Sequence, residues 1–379
     1  MIEALVLKVR QLNIDWLLFV ATLPLLLAGL VTMNTFTDDS YFFSRQILWI
    51  AISFTFFFIF SFIDWRFLRQ SMVVTVLYSL GLSVLIFLLL AGQITRGAQG
   101  WLDFGGFSIQ PAEFIKLILI IILAKYFTRR HIEIAHIRHI IISGLYAFLP
   151  FVFIFFQPDF GSAVIVFLIW LGMILVSGIS KKHLFLVFAT GFLSFILLWS
   201  FVFVDYQKTR IISFLHPLAD IQGAGYNAFQ STIAVGSGQI WGKGVGYGSQ
   251  SRLKFLPEHQ TDFIFASFAE EWGFIGVILL FIFFSIVIWR ITATAVLGAT
   301  NFETLFGIGL AIMFMSNFII HVGMNIGLLP VTGLPIPFLS YGGSHLLAEF
   351  MGLGILMGMR KYSLAFHRDD IHNEFLGPR

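Results

Sequence analysis

The sequence predicts an all-α integral membrane protein of about ten transmembrane helices, with short connections except for one long extracytoplasmic loop between helices 7 and 8. Three observations carry that expectation. Hydrophobic residues make up 58% of the 379 and charged residues only 11%, with a mean hydropathy of +0.91, far above the apolar share of a water-soluble domain. Apolar runs of roughly 20 residues, enough to cross the hydrocarbon of a bilayer, recur from one end to the other. The cations gather in the short breaks between those runs.

The runs fall at 16–33, 43–62, 72–91, 112–127, 138–156, 161–178, 183–204, 262–289, 303–327 and 344–359. Glu3, Lys8, Arg10 and Asp15 lead into the first, and no small-residue cleavage site follows it, so an uncleaved span is expected. The fourth and tenth are short and adjoin Gly/Pro-rich polar segments, which can dip into a membrane where protein covers them. Ahead of the eighth lies the 205–261 loop. Its glycines, among them Gly223, Gly225, Gly236, Gly238, Gly242, Gly244, Gly246 and Gly248, read as tight turns and short helices within one membrane domain covering 1–379. No internal repeat is visible.

Orientation follows from the cations. If the spans alternate, Lys8 and Arg10; Arg66 and Arg69; Lys125, Arg129, Arg130 and Arg138; Lys181 and Lys182; Arg290; and Arg360, Lys361 and Arg368 share one face. The positive-inside rule makes that face the cytoplasm and puts both termini there. The outer face then receives nearly every segment rich in Gly, Pro, Gln, Asp and Ser.

Composition also excludes chemistry. Cysteine is absent, which removes disulfides, thiol nucleophiles and thiolate metal sites. The net charge of +3 is scattered in short clusters, so nucleic acid is not an expected partner. No P-loop, dinucleotide fingerprint or H-E-x-x-H pattern occurs, and an external reaction must draw its energy from the substrate, for instance from an activated phosphate leaving group.

The stretch "FLPEHQTDFIFASFAEEWGFIG" holds the first candidates. Asp262 stands at the mouth of the eighth run, with Glu258 four residues before it. Thr261 and Asp262 suit a helix N-cap, which competes with a chemical role for Asp262. Glu270 lies ~12 Å further along the helix axis, where an unpaired charge in lipid costs about 2.5–3.5 kcal/mol. An intrabundle ion pair and a site role both fit Glu270; Glu271, on the face opposite Asp262, reads as structural. In "GFSIQPAEFIK", Pro111 suits a first helical turn and Glu113 and Lys116 share a face three residues apart. They pair with each other, or Lys116 meets an anionic substrate group while Glu113 meets a metal or a hydroxyl. Further polar markers on the outer face are Arg96 and Trp101, Gln157 and Asp159, Arg210, and Ser340, Tyr341 and Ser344, any of which also reads as a loop residue or interface anchor. Arginine or lysine beside glycine-rich backbone suits phosphate oxygens. His321 and His345 read as satisfied bundle histidines.

With these residues in view, "QPAEFIK", "QPDFGS", "GAGYNAFQSTIAVGSG", "GKGVGYGSQSRLKFLPEHQTDFIFASFAEEWG" and "GLLPVTGLPIPFLSYGGS" resemble, in order and spacing, the signatures of the SEDS family (shape, elongation, division and sporulation), and its elongation branch more than its division branch. The resemblance runs from the first span to the last. It implies a ten-helix peptidoglycan glycosyltransferase that polymerises lipid II at the outer face of the bacterial cytoplasmic membrane, beside a class B penicillin-binding protein and other elongation-complex proteins. It implies that Asp262 is the aspartate required for polymerisation, that Glu113 and Lys116 match the family's carboxylate and lysine, and that divalent cations support activity. A hard, oxygen-liganded ion such as Mg²⁺ or Mn²⁺ suits carboxylates in a chain without thiols, and Asp262 and Glu113 are its candidate ligands. Departures are Gly100 where the family often has a cation, Ala112 for a serine, Gln260 before Thr261, and His345 where a small residue is common. A lipid II flippase and a non-catalytic elongation scaffold are the alternatives; polar loops concentrated on one face and the missing repeat speak against alternating access.

Overall fold

The computed structural model describes residues 14–35, 40–92, 100–103, 105, 107–128, 137–201, 203, 205–215, 225–253, 255–256 and 258–374, except the side chains of 40, 205–207, 210–211, 251 and 363–374. Helices form at every predicted run. They are α1 Trp16–Asn34, α2 Ser40–Phe62, α3 Ser71–Ala91, α4 Pro111–Thr128, α5 Ile137–Phe156, α6 Phe160–Ser177, α7 Lys181–Phe201, α8 Asp205–Leu215, α9 Tyr226–Ser237, α10 Ser249–Arg252, α11 Ile264–Val296, α12 Asn301–Asn325 and α13 Gly343–Glu374. Among the described residues the only strands are β1 Leu102–Asp103 and β2 Ser108–Ile109, an antiparallel pair with Leu102 opposite Ile109.

Among the described residues eight helices, α1 to α3, α5 to α7, α11 and α12, are long and apolar enough to cross a membrane. The fourth and tenth predicted spans form as α4 and α13, and Glu113 and Lys116 in α4 and Glu349 in α13 are buried in protein. Helix α4 packs on α3, α5, α6, α12 and α13, whereas α13 packs chiefly on α2. Between lipid-bathed helices close contact has to come from small residues. A Cβ on Gly354 would lie 2.8 Å from the Phe57 carbonyl oxygen, and one on Gly343 would overlap the Trp49 ring, so glycine permits the α2–α13 seam. Helix α7 has no buried residue and meets its surroundings all round.

Ion pairs pin the helices at the basic end. Asp15 caps α1 by accepting from the Leu18 amide at 3.1 Å and receives Arg290 of α11 and, at 3.3 Å, Arg360 of α13. Arg69 reaches Glu303 at 2.8 Å, and Glu303 closes a capping box with Thr300 at the start of α12. The opposite end gathers the starts of α4, α11 and α13 with the ends of α1 and α12. The described residues of the predicted 205–261 loop form α8, α9 and α10, with turns between α9 and α10.

Candidate active site

The eighth span is longer than predicted and is broken. Gly273 has φ 65 and ψ −168 inside α11, a region open essentially to glycine alone. The break frees backbone groups that a continuous helix would use, and the turn after α9 takes them. Lys243 and Gly244 amides donate to the carbonyls of Glu270 and Glu271 at 2.9 and 3.0 Å, while the Phe274 and Ile275 amides donate to Gln239 and Ile240 at 2.9 and 3.2 Å. Gly242, with φ 80, lies against Gly273, and neither position has space for a Cβ.

This contact explains two of the three carboxylates. Glu270 is fully buried and accepts from Lys243 Nζ at 2.6 Å, from the Ser249 amide and hydroxyl at 2.9 and 3.0 Å, and from the Gln250 amide at 3.1 Å. Glu271 Oε1 accepts from Thr35 Oγ1 at 2.8 Å and from the Gly246 amide at 3.1 Å. Both therefore hold the glycine turn. The ion pair expected as one of two roles for Glu270 forms, with Lys243; residues 264–271 are buried in protein, and the lipid-exposed run begins at Phe274.

Asp262 is different. It is half-buried in the turn 258–263 ahead of α11, whose N-cap is Phe263 without a side-chain cap, so the N-cap geometry expected of Thr261 and Asp262 does not form. The turn is fixed by two distant segments. Ser340 Oγ donates to the Thr261 carbonyl at 2.9 Å, and the Tyr341 amide donates to Gln260 at 2.9 Å. Asn325 at the end of α12 donates through Nδ2 to the Asp262 carbonyl at 3.0 Å, while its Oδ1 accepts from the Ala266 amide at 3.2 Å. Asp262 Oδ2 lies 3.4 Å from the position of a Cβ on Gly333, so a side chain there would press on the carboxylate. Asn325 escaped the sequence reading; an amide at the polar end of an apolar run was the available signal.

The second constellation is enclosed. Lys116 Nζ donates to Glu113 Oε1 at 2.7 Å, and His345 Nδ1 lies 2.8 Å from Glu113 Oε2. His345 Nε2 lies 2.9 Å from Glu349 Oε1, and Glu349 Oε2 accepts from the Phe338 amide at 3.1 Å. All four side chains are buried, Lys116 and Glu349 completely. The expected Glu113–Lys116 pair forms, but Lys116 does not line an open cavity and both Glu113 oxygens are engaged. Lys116 and His345 thus stand against the two oxygens that Glu113 would offer a cation. Among the described residues no group of three or more His, Asp or Glu side chains gathers as a metal site. Glu349 was missed although its partner His345 lies four residues before it on α13, a spacing that places two side chains on one helix face.

The other candidates divide. Asp159 caps α6, accepting from the Ser162 amide at 3.0 Å and from Gln110 Nε2 at 2.7 Å. Burial pushes its carboxyl above the usual range, opposed by the Ser162 hydrogen bonds and by nearby Lys116. Gln157 is fully buried and donates to the Leu85 carbonyl at 2.8 Å; a Cβ on Gly100 would lie 3.5 Å from its Oε1. Ser340 also accepts from the Ile336 amide at 3.0 Å and so works on backbone, and Ser344 is buried at the start of α13. Tyr341 packs edge-on against Phe42. Trp101 is half-buried beside the strand pair, whereas Glu258 is exposed and accepts from Thr261 Oγ1 at 3.1 Å. His321 is buried and bonds the Leu334 carbonyl at 2.6 Å through Nδ1. Arg96 and the Arg210 side chain lie outside the described residues.

With the site in place, comparisons with known proteins become informative. Residues 11–364 match the FtsW/RodA/SpoVE family model, described as cell cycle protein. The chain is 36% identical over 372 residues to stage V sporulation protein E of Bacillus subtilis (strain 168), covering 93% of this chain and 99% of that one. It is 37% identical over 273 residues to peptidoglycan glycosyltransferase MrdB of Escherichia coli (strain K12), covering 72% of this chain and 73% of that relative. Among solved structures, a chain of a peptidoglycan synthase complex that coordinates polymerization and crosslinking superposes with a TM-score of 0.80 at 28% identity, over 92% of this chain and 98% of that one. Rod shape determining protein RodA of Thermus thermophilus superposes with a TM-score of 0.69 at 26% identity, over 92% and 97%.

Proposed function

Since the chain belongs to the FtsW/RodA/SpoVE family of multi-pass membrane proteins, we propose that it is a peptidoglycan glycosyltransferase that polymerises lipid II during cell elongation, at the outer face of a bacterial cytoplasmic membrane. The relatives include proteins named for sporulation, for division and for rod shape. The elongation assignment rests on the "GSQSRLKFLPEHQTDFIFA" motif.

One observation supports Asp262 as the general base. Unlike Glu270 and Glu271 it does not hold the glycine turn, and it sits half-buried in a turn that Asn325 and the Ser340–Tyr341 segment fix. In the reaction proposed here Asp262 takes the proton from the sugar 4-hydroxyl of an incoming lipid II. That oxygen bonds to the anomeric carbon of the growing chain as the bond to the diphosphate oxygen breaks, with inversion. Positioned general bases typically contribute about 10²–10⁴-fold. Arg210 is proposed to face the diphosphate, and Lys116 to act by fixing α4 through Glu113 and His345.

A divalent cation, Mg²⁺ or Mn²⁺, fits this donor set only through Asp262, since Glu113 is closed off by Lys116 and His345. Such ions bind through one or two carboxylates plus substrate phosphate oxygens, and would neutralise the leaving diphosphate. A class B penicillin-binding protein is the proposed partner, in line with the synthase complex among the structural neighbours.

The test uses purified protein in proteoliposomes with lipid II, with Mg²⁺ or Mn²⁺ and with chelator, reading glycan chains and lipid scrambling together. Glycan product is expected. Scrambling without glycan would favour a flippase, and neither activity at normal membrane levels would favour a scaffold.

A further inference from the structure

The turn joining α9 to α10 combines two properties that rarely coincide. It is bound to the break in α11 by four backbone hydrogen bonds and the Lys243–Glu270 pair, yet Ile240, Trp241 and Tyr247 are 58, 81 and 71% exposed. We propose that residues 239–247 are an interfacial membrane anchor. Ile240, Trp241 and Tyr247 rest in the boundary between headgroups and acyl chains, and thereby fix the height of the Asp262 turn above the hydrocarbon.

Two independent helices set the turn at that height. Helix α1 has 19 residues, a length of ~28 Å that matches the ~30 Å hydrocarbon core. It ends beside Thr35, which shares Glu271 with the Gly246 amide of the turn. On the other side, Phe274 and Ile275 open the lipid-facing run of α11, and their amides bond the carbonyls of Gln239 and Ile240. The turn thus continues a lipid-facing surface at the level where one spanning helix ends and another begins.

Chemistry agrees with geometry. Trp and Tyr, each an apolar ring with a polar edge, concentrate at membrane interfaces. Lys243 is the only charged residue from Gly238 to Gly248, and its ammonium turns onto buried Glu270, so no ion stands between the exposed rings and lipid. The anchor does not depend on which reaction the site performs.

The absence of cysteine permits a direct test with single nitroxide labels at Trp241→Cys and Tyr247→Cys in full-length protein, reconstituted in phosphatidylcholine/phosphatidylglycerol vesicles. Ile278→Cys on the lipid-facing side of α11 and Asp64→Cys in an exposed charged turn are the references. Collision with oxygen relative to a water-soluble nickel chelate should place labels 241 and 247 between the two references. Values equal to those of Asp64→Cys, or exclusion of both reagents, would overturn the proposal. Independently, brominated lipids should quench less of the fluorescence of Trp241→Phe than of the parent, and equal quenching would count against the anchor whatever the labelled variants do.

Discussion

Gly273→Ala should damage the molecule far more than its size suggests. Alanine at φ 65 and ψ −168 carries a backbone strain of about 1–3 kcal/mol. Its Cβ would also fall on the turn, 2.7 Å from the Ile240 oxygen and from the Trp241 carbonyl carbon. Backbone atoms cannot rotate away, so the turn must move. The four hydrogen bonds that join it to α11, at about 0.5–1.5 kcal/mol each, contribute roughly 2–6 kcal/mol. Together with the strain, the loss is roughly 3–9 kcal/mol, before any cost of separating Lys243 from Glu270. Gly178→Ala is the matched control, because Gly178 has φ 95 with nothing within 4 Å of a Cβ, and strain alone should cost it about 1–2 kcal/mol. Thermal unfolding of the two purified variants in detergent separates the terms. If Gly273→Ala melts no lower than Gly178→Ala, the turn is not wedged against the break and the reasoning fails.

Three further outcomes follow from the site. His345→Ala leaves a Glu349 oxygen buried without its partner and should cost about 1–3 kcal/mol; adding Glu349→Leu should recover part of that loss, measured as folded yield in a double-mutant cycle. Asn325→Ala removes the bonds to the Asp262 carbonyl and the Ala266 amide, and should lower polymerisation rate more than membrane abundance. Among the described residues a Cβ at Gly100 meets only Gln157 Oε1, at 3.5 Å, so Gly100→Arg should accumulate to parent levels in membranes; a collapse in yield would show that the segment lacks the space.

The spans were legible because lipid requires long apolar runs whatever they pack against, and even the short α4 and the apolar first half of α13 were visible between polar segments. The pairing of Glu113 with Lys116 was legible too, since helical geometry brings i and i+3 together. Its extension to His345 and Glu349 was not, because it depends on two helices 232 residues apart in sequence meeting at one level. The partners of Glu270 and Glu271 were hidden for a related reason. A glycine in an apolar helix looks like a packing residue, and nothing local to Gly273 says that a second glycine, Gly242, will meet it. Asp262 stood out by its position, but what holds its turn, Asn325 and Ser340, comes from segments far along the chain.

The central claim is that Asp262 removes a proton in sugar transfer, and Asp262→Asn tests it with almost no change in shape. At equal amounts of folded protein in the membrane, the rate of lipid II polymerisation should fall by about 10²–10⁴-fold. Glycan synthesis at the parent rate would contradict the account.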